Sequence, residues 1–246
     1  MLKLCGAAQG TGALVAEIIV AELAEALGLL VPPRVLVDLP SEIETADWDD
    51  ELADLLAASV GVNLGFDYLA GAKGFTAADV ERVPPATRAT IMWLDRLVMN
   101  HDRSARNPNI LWWAGQPWLI DHGASLSFQY AWDRVTEDAP RQPRLAREAH
   151  LFEHLVTSDE LHAADAALAP QVTRELLARA VALVPDEFLL PLQGVGAGER
   201  ADEPSRLARQ RAAYVAFLWK RQRAPRPFLD SRELPVSPAS RRPHWL

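Results

Sequence analysis

Asp102 and Asn107 are the residues whose types and spacing first suggest chemistry. They lie five positions apart in the run N-H-D-R-S-A-R-N-P-N. An aspartate carboxylate in such a pair can orient an attacking hydroxyl and accept its proton, while an amide oxygen can ligate Mg²⁺. Asp and Asn in loops often only satisfy the amides of a turn, so this spacing alone is not specific for phosphoryl transfer.

Asp121 adds a second carboxylate in a suitable context. Asn109–Trp113 and 117–120 are strand-like runs separated by Ala-Gly-Gln, which predicts a tight hairpin. Asp121 directly follows the second run, 14 positions after Asn107, and Gly123 comes two residues later. A hairpin would return Asp121 to the Asp102 loop, where it would chelate a metal that bridges nucleotide phosphates. The alternative is that Asp121 only caps the strand end.

These residues also resemble a known family. The run N-H-D-R-S-A-R-N-P-N-I-L, followed by W-L-I-D-H-G-A-S-L, resembles the HipA-like kinase domain and, more distantly, the lipid kinases. The N-terminal K-L-C-G-A-A-Q-G and a helix that contains Glu17 and ends in L-G-L-L-V-P-P are similar to that family's lysine strand, glycine-containing loop and glutamate helix.

The resemblance implies ATP and Mg²⁺ as cofactors and a set of site residues. Lys3 would contact the α- and β-phosphates and pair with Glu17, Asp102 would be catalytic, and Asn107 and Asp121 would bind the metal. The apolar surroundings of Glu17 support the pairing, because a buried carboxylate needs a cationic or hydrogen-bonding partner. The acceptor is expected to be a hydroxyl, of a protein Ser or Thr in the first instance.

The sequence departs from typical kinases at two places. The chain starts at the lysine strand, so the preceding strands and their phosphate-covering loop are not expected. Either the loop Gly6–Gly12 covers the nucleotide, with Gly10 and Gly12 beside it, or the nucleotide site is incomplete. The residue two before Asp102 is Asn100, where protein kinases usually have His.

Two alternatives remain open from the sequence. One is a kinase-like interaction protein that has lost turnover. The other is an HD-type metal phosphohydrolase, in which His101-Asp102 and Asp121-His122 would be the ligand pairs.

The order of predicted elements favours an α+β, two-lobed, protein-kinase-like fold. We predict a truncated, small N-terminal α/β lobe over residues 1–70, a mainly helical C-terminal lobe over 71–224, and an irregular tail over 225–246. Residues 63–68 are expected to line the nucleotide pocket. The predicted strands are 2–5, 34–39 and part of 60–69, and the predicted helices are 13–27, one from 76, one after 85, 145–156, 171–184 and 205–223.

Composition limits the remaining classes of function. Hydrophobic residues make up 49% of the 246 and the net charge is -8, so the chain is typical of a globular protein and nucleic acid is not an expected partner. The most apolar stretch, residues 14–30, contains three glutamates, so no membrane span is predicted. The single cysteine, Cys5, fits a cytoplasmic protein. The expected partners are a nucleotide and a phosphate acceptor.

Overall fold

The protein combines seven α-helices with two small antiparallel sheets in the part of the chain that the structure describes. A computed structural model describes residues 1–7, 10–42, 49–142, 148–189 and 203–229. The strands are β1 (Leu2–Lys3), β2 (Arg34–Leu39), β3 (Gly61–Phe66), β4 (Lys73–Gly74), β5 (Ile110–Trp113) and β6 (Gln116–Leu119). The helices are α1 (Gly10–Ala26), α2 (Asp50–Ala57), α3 (Pro85–Leu97), α4 (Ser158–Leu168), α5 (Arg174–Ala182), α6 (Asp186–Leu189) and α7 (Glu203–Gln222). The predicted α+β class is therefore correct.

The first sheet has the order β1-β3-β2, with both pairs antiparallel. Leu64 of the central strand lies opposite Lys3 on one side and Leu36 on the other. The buried Asn63 side chain accepts a hydrogen bond from the Cys5 N–H at 2.8 Å, so the loop after β1 is fixed to β3. This register determines where the Lys3 side chain begins.

Helix α1 is apolar on nearly every side because it lies in the interior. It packs against α5 and α6, and residues such as Ile19, Val20 and Leu23 are fully buried. Gly28 ends this region in the left-handed conformation (φ 77°), and Leu29 N–H bonds back to Ala24 O at 2.9 Å. A helix buried in this way carries Glu17 into the interior with it.

The second sheet has the order β4-β5-β6 and contains the predicted hairpin. Ala114 and Gly115 form its turn with φ values of 48° and 78°, as a type I′ turn requires. Ile120 N–H donates to Asn109 O at 3.0 Å, and Leu119 N–H donates to Leu30 O at 2.8 Å. These bonds place Asp121 beside the loop that precedes β5 and close to the segment that follows α1.

The helical predictions succeed where an apolar stripe is long and fail where tertiary contacts dominate. β2 has the predicted bounds, and the helix after Pro85 is α3. The predicted 145–156 helix is wrong over its described part, because residues 148–156 form turns and bridges whose partners are distant in sequence, such as Arg103 O for Leu151 N–H. Residues 143–147 lie outside the described ranges. Helices α2 and α4 were not predicted.

The predicted division into residues 1–70, 71–224 and 225–246 stays a prediction. At the start of the predicted tail, Phe228 is fully buried and its carbonyl accepts from Arg96 at 2.9 Å. Across the described ranges every helix is too short or too polar to cross a bilayer.

Candidate active site

Lys3, Glu17 and Asp121 form an ion triad that joins β1, α1 and the end of the hairpin. Lys3 Nζ donates to Glu17 Oε1 in a short contact and to Asp121 Oδ1 at 2.6 Å. The Glu17 side chain is fully buried, whereas that of Asp121 is half-exposed. The lysine and glutamate that the family resemblance pairs are therefore in contact, and the same lysine reaches the carboxylate predicted to bind metal.

Burial and charge act against each other at this triad. Burial alone would lower the pKa of Lys3, but Glu17 and Asp121 outweigh it and raise that pKa above its ordinary value. Complete burial raises the pKa of Glu17, and Lys3 limits the rise. Burial would raise the pKa of Asp121, but its bonds to Lys3 hold that pKa below the usual range. At neutral pH Lys3 is charged and the Asp121 carboxylate is ionised.

Asp102 lies in a short chain of side-chain amides that leads to Asp121. Its Oδ2 accepts from Asn107 Nδ2 at 2.8 Å and from Asn109 Nδ2 at 3.1 Å. Asn109 Nδ2 also lies 3.4 Å from the backbone oxygen of Asp121. The three predicted residues Asp102, Asn107 and Asp121 are thus neighbours, and the link between them is Asn109, which the sequence reasoning missed. The N-P-N run that contains it was the available signal.

The backbone at these positions takes a conformation that few residue types adopt readily. Asn109 and Asp121 have φ values of 48° and 56°, in the left-handed region, where Asn and Asp are several-fold enriched among residues other than Gly. Asp121 adopts it two residues after the end of β6, where its carboxylate accepts a hydrogen bond from Lys3 Nζ. The residue types at both sites suit the local geometry as well as the chemistry.

A cavity of about 270 Å³ lies beside the triad and is lined by residues of both sheets and of α1. Its charged end contains Lys3, Glu17 and Asp121, and its other walls are largely apolar, including Val31 and Leu119. Of the predicted lining segment, residues 66–68 do line it. An apolar cavity with a few charged groups at one end has the usual character of a small-molecule site.

A second cavity, of about 420 Å³, lies on the Asp102 side of the chain of amides. All of its lining residues are polar: His101, Asp102, Ser104, Arg106, Asn107 and Glu148. Asp102 is therefore accessible from a polar cleft that differs from the largely apolar cavity beside Lys3.

Gly10 and Gly12 do not reach the cavity beside Lys3. Both lie in the first turn of α1 and are not among the residues that line that cavity. A Cβ added at Gly12 would lie 3.0 Å from the Tyr130 ring, so this glycine accommodates an aromatic side chain. The contact of Gly10 and Gly12 with the nucleotide stays a prediction. The close approach of the Tyr130 ring is by itself a reason for a glycine at position 12.

The donor atoms suit magnesium better than a histidine-rich centre. Asp121 and Asn107 offer carboxylate and amide oxygens, which Mg²⁺ prefers. Within the described ranges no three His, Cys, Asp or Glu side chains form a metal-binding cluster, and neither ring nitrogen of His122 has a hydrogen-bond partner there. Burial lowers the pKa of His122 to about 3, and the Arg103 guanidinium acts in the same direction. Because no such cluster is present in the described ranges, the His101-Asp102 and Asp121-His122 pairs do not form there the shared centre that an HD-type phosphohydrolase would need.

Comparison with known proteins identifies the family of the chain. A family model described as HipA-like kinase matches residues 4–188, well over half of the chain. The match contains Glu17, Asp102, Asn107 and Asp121. No curated protein and no solved structure gave a match. The chain belongs to the HipA-like kinase family.

Proposed function

We propose that the protein is an ATP- and Mg²⁺-dependent kinase that transfers the γ-phosphoryl group to a hydroxyl acceptor. The observation that carries the proposal is the convergence of Lys3 with Glu17 and Asp121, and of Asp121 with Asp102 and Asn107 through one bridging amide. These are the charges and oxygen donors that phosphoryl transfer requires.

The nucleotide would occupy the cavity beside Lys3, with its base between the apolar walls and its phosphates at the charged end. Lys3 would neutralise phosphate charge while Glu17 fixes the position of its ammonium group. Asn107 and Asp121 would hold Mg²⁺, which supplies further neutralisation of the phosphate oxygens. In this proposal the two sheets and their helices form the two lobes of a protein-kinase-like fold, and the cavity lies between them.

The acceptor hydroxyl would enter through the polar cleft at Asp102. Asn107 and Asn109 bind Oδ2 of Asp102, so Oδ1 would orient the hydroxyl and accept its proton. A bond forms between the acceptor oxygen and the γ-phosphorus, the bond from that phosphorus to the β,γ-bridging oxygen breaks, and ADP leaves. The polar and charged residues that line the cleft can hydrogen-bond an aliphatic hydroxyl, such as that of Ser or Thr, which is the proposed acceptor.

The test combines nucleotide binding with phosphate transfer. We expect Mg²⁺-dependent ATP binding by calorimetry and transfer of labelled γ-phosphate to the chain itself or to candidate acceptors. Asp102→Asn should lower transfer by about 100-fold or more while binding persists. Asp133→Asn, at an exposed aspartate, is the matched control and should leave both unchanged.

The possible results separate the alternatives. Binding with no transfer by the wild type would support a kinase-like interaction protein that has lost turnover. If the wild type showed no ATP binding and no phosphate transfer, the nucleotide site itself would be refuted.

A further inference from the structure

The buried Asp95 carboxylate binds residues on both sides of Asp102. Its Oδ1 accepts from Asn100 Nδ2 at 2.9 Å, and its Oδ2 accepts from Arg103 Nε at 2.7 Å and from His150 Nε2 at 3.0 Å. The carboxylate is only 1% exposed. Burial would raise its pKa, but Arg103 and His150 hold the Asp95 pKa below its ordinary value, so the group is ionised.

The role of each ring nitrogen of His150 follows from its neighbours. Nδ1 accepts from the Phe152 N–H at 3.1 Å, so the ring proton lies on Nε2 and is donated to Asp95. The next backbone N–H, of Leu151, donates to Arg103 O at 3.1 Å. A segment nearly fifty residues downstream is thereby attached to the Asp102 loop through both side chain and backbone.

Asp102 lies between two residues that Asp95 holds. On one side Asn100 Oδ1 accepts from the Asp102 N–H at 3.1 Å. On the other side Arg103 follows directly, and its guanidinium donates to the carbonyl of Asn109, whose amide binds Asp102. Asp95 therefore determines where the Asp102 backbone lies and, through Arg103, where its amide partner lies.

Neither Asp95 nor His150 lines the two cavities, so neither would touch a nucleotide or an acceptor bound there. We propose that Asp95 and His150 are positioning residues for phosphoryl transfer, and that His150 completes the set of donors that keeps Asp102 aimed at the acceptor hydroxyl. The inference rests on the proposed kinase function and extends it to residues that contact no substrate.

Three variants at two histidines test this role. His150→Leu removes the donor and keeps an apolar side chain, while His150→Gln retains an N–H that can reach Asp95. His154→Leu, the same substitution at an exposed histidine four residues later, is the control. We expect His150→Leu to lower kcat by about 10- to 100-fold, because small displacements of a reacting group are costly. The Kd of Mg-ATP should stay within about twofold, and His150→Gln should recover much of kcat.

A second measurement does not depend on turnover. In NMR spectra, the side-chain amides of Asn107 and Asn109, both bound to Asp102, should exchange with water faster in His150→Leu than in wild type or His154→Leu. Amides in α5, far from the loop, should not change, which separates a local effect from loss of stability. If His150→Leu does not fold, the same amide comparison is made with His150→Gln, whose single donor should give a smaller increase.

Each outcome decides one claim. Wild-type protein without transfer would refute the proposed function, and the amide measurement would still judge the positioning role. Active wild type with unchanged kcat in His150→Leu, or unchanged Asn107 and Asn109 exchange, would overturn the positioning role alone. A matched fall in kcat and in binding would also overturn it, because it would indicate general loss of structure.

Discussion

Substitution of Lys3 by Met should destabilise the fold as well as impair nucleotide binding. The Glu17 carboxylate is fully buried, and within the described ranges its Oε2 already has no hydrogen-bond partner. Without Lys3, Oε1 loses its cationic partner and keeps the hydrogen bond from the Gly123 N–H at 3.1 Å. Loss of one member of a buried ion pair costs about 3 to 5 kcal/mol, and we expect about 3 because the Lys3 side chain is 24% exposed and water can partly replace it.

This cost should appear in urea unfolding at neutral pH and as a fall of roughly 6 to 12 °C in Tm. The pH dependence has a definite sign. Burial already raises the pKa of Glu17 above 4.5, and loss of Lys3 would raise it further. Because the folded state prefers the protonated Glu17 carboxyl, the free energy of unfolding falls as pH rises from the unfolded pKa through the folded pKa. Below the unfolded pKa the carboxyl is protonated in both states, so this loss of stability is absent. The difference between Lys3→Met and wild type should therefore shrink between pH 7 and pH 5.

Two further variants make the prediction specific. Lys3→Met combined with Glu17→Gln should recover much of the lost stability, because no buried charge remains. Arg34→Met removes a cation whose partners, Glu22 and Glu25, are partly exposed, so its effect should be nearer 1 kcal/mol. Lys3 would not be the cation that stabilises buried Glu17 if the free energy of unfolding of Lys3→Met lay within about 0.5 kcal/mol of wild type at pH 7, or if Glu17→Gln restored no stability to Lys3→Met.

Two other predictions concern a buried histidine and a crowded glycine. The folded pKa of His122, about 3, lies below its ordinary 6.5, so the neutral ring stabilises the fold above pH 6.5 and this contribution is lost as pH falls. Wild type should lose about 2 to 3 kcal/mol more than His122→Gln between pH 6.5 and 4.5 in urea unfolding, and equal losses would contradict the assignment. Gly6→Ala should cost about 1 to 3 kcal/mol, because its Cβ would lie 2.6 Å from the Ala58 backbone oxygen. Gly74→Ala, which would meet nothing within 4 Å, should be nearly neutral, and a similar cost at both glycines would show that the crowding is not the cause.

Local sequence signals predicted the elements that local forces determine. The β-branched run 34–39 became β2, and the Ala-Gly turn became the hairpin because Gly115 adopts the left-handed conformation readily, while Ala114 takes it at some cost in energy. Helix α4 had a usable signal that was overlooked: Thr157 and Glu160 form a capping box. The predicted 145–156 helix failed for a different reason, since His150 bonds to a residue 55 positions earlier and Leu151 to one 48 positions earlier.

The residues of the candidate site also fall into two groups: those that the sequence could predict and those whose role depends on contacts made after folding. Asp102, Asn107 and Asp121 could be predicted to lie together because their types and spacing suggest a shared chemistry, and the structure links them through Asn109. Asn109 and Asp95 were missed because their importance depends on which atoms they meet after folding, and spacing does not encode that. Gly10 and Gly12 were placed beside the nucleotide by analogy with a phosphate loop, whereas Gly12 makes room for Tyr130.

One carboxylate oxygen connects the nucleotide side of the site to the rest of the fold. Glu17 Oε1 accepts both from Lys3, on β1, and from the N–H of Gly123, just after Asp121. A displacement of α1 would therefore move Lys3 and the segment after Asp121 together, since Lys3 Nζ and the Gly123 N–H bind the same oxygen. Asp102 is held by a separate network through Asp95, and the bond from Asn109 to the Asp121 carbonyl joins the two. Substitutions in α1 should thus alter nucleotide affinity first, whereas substitutions around Asp95 should alter the rate of transfer.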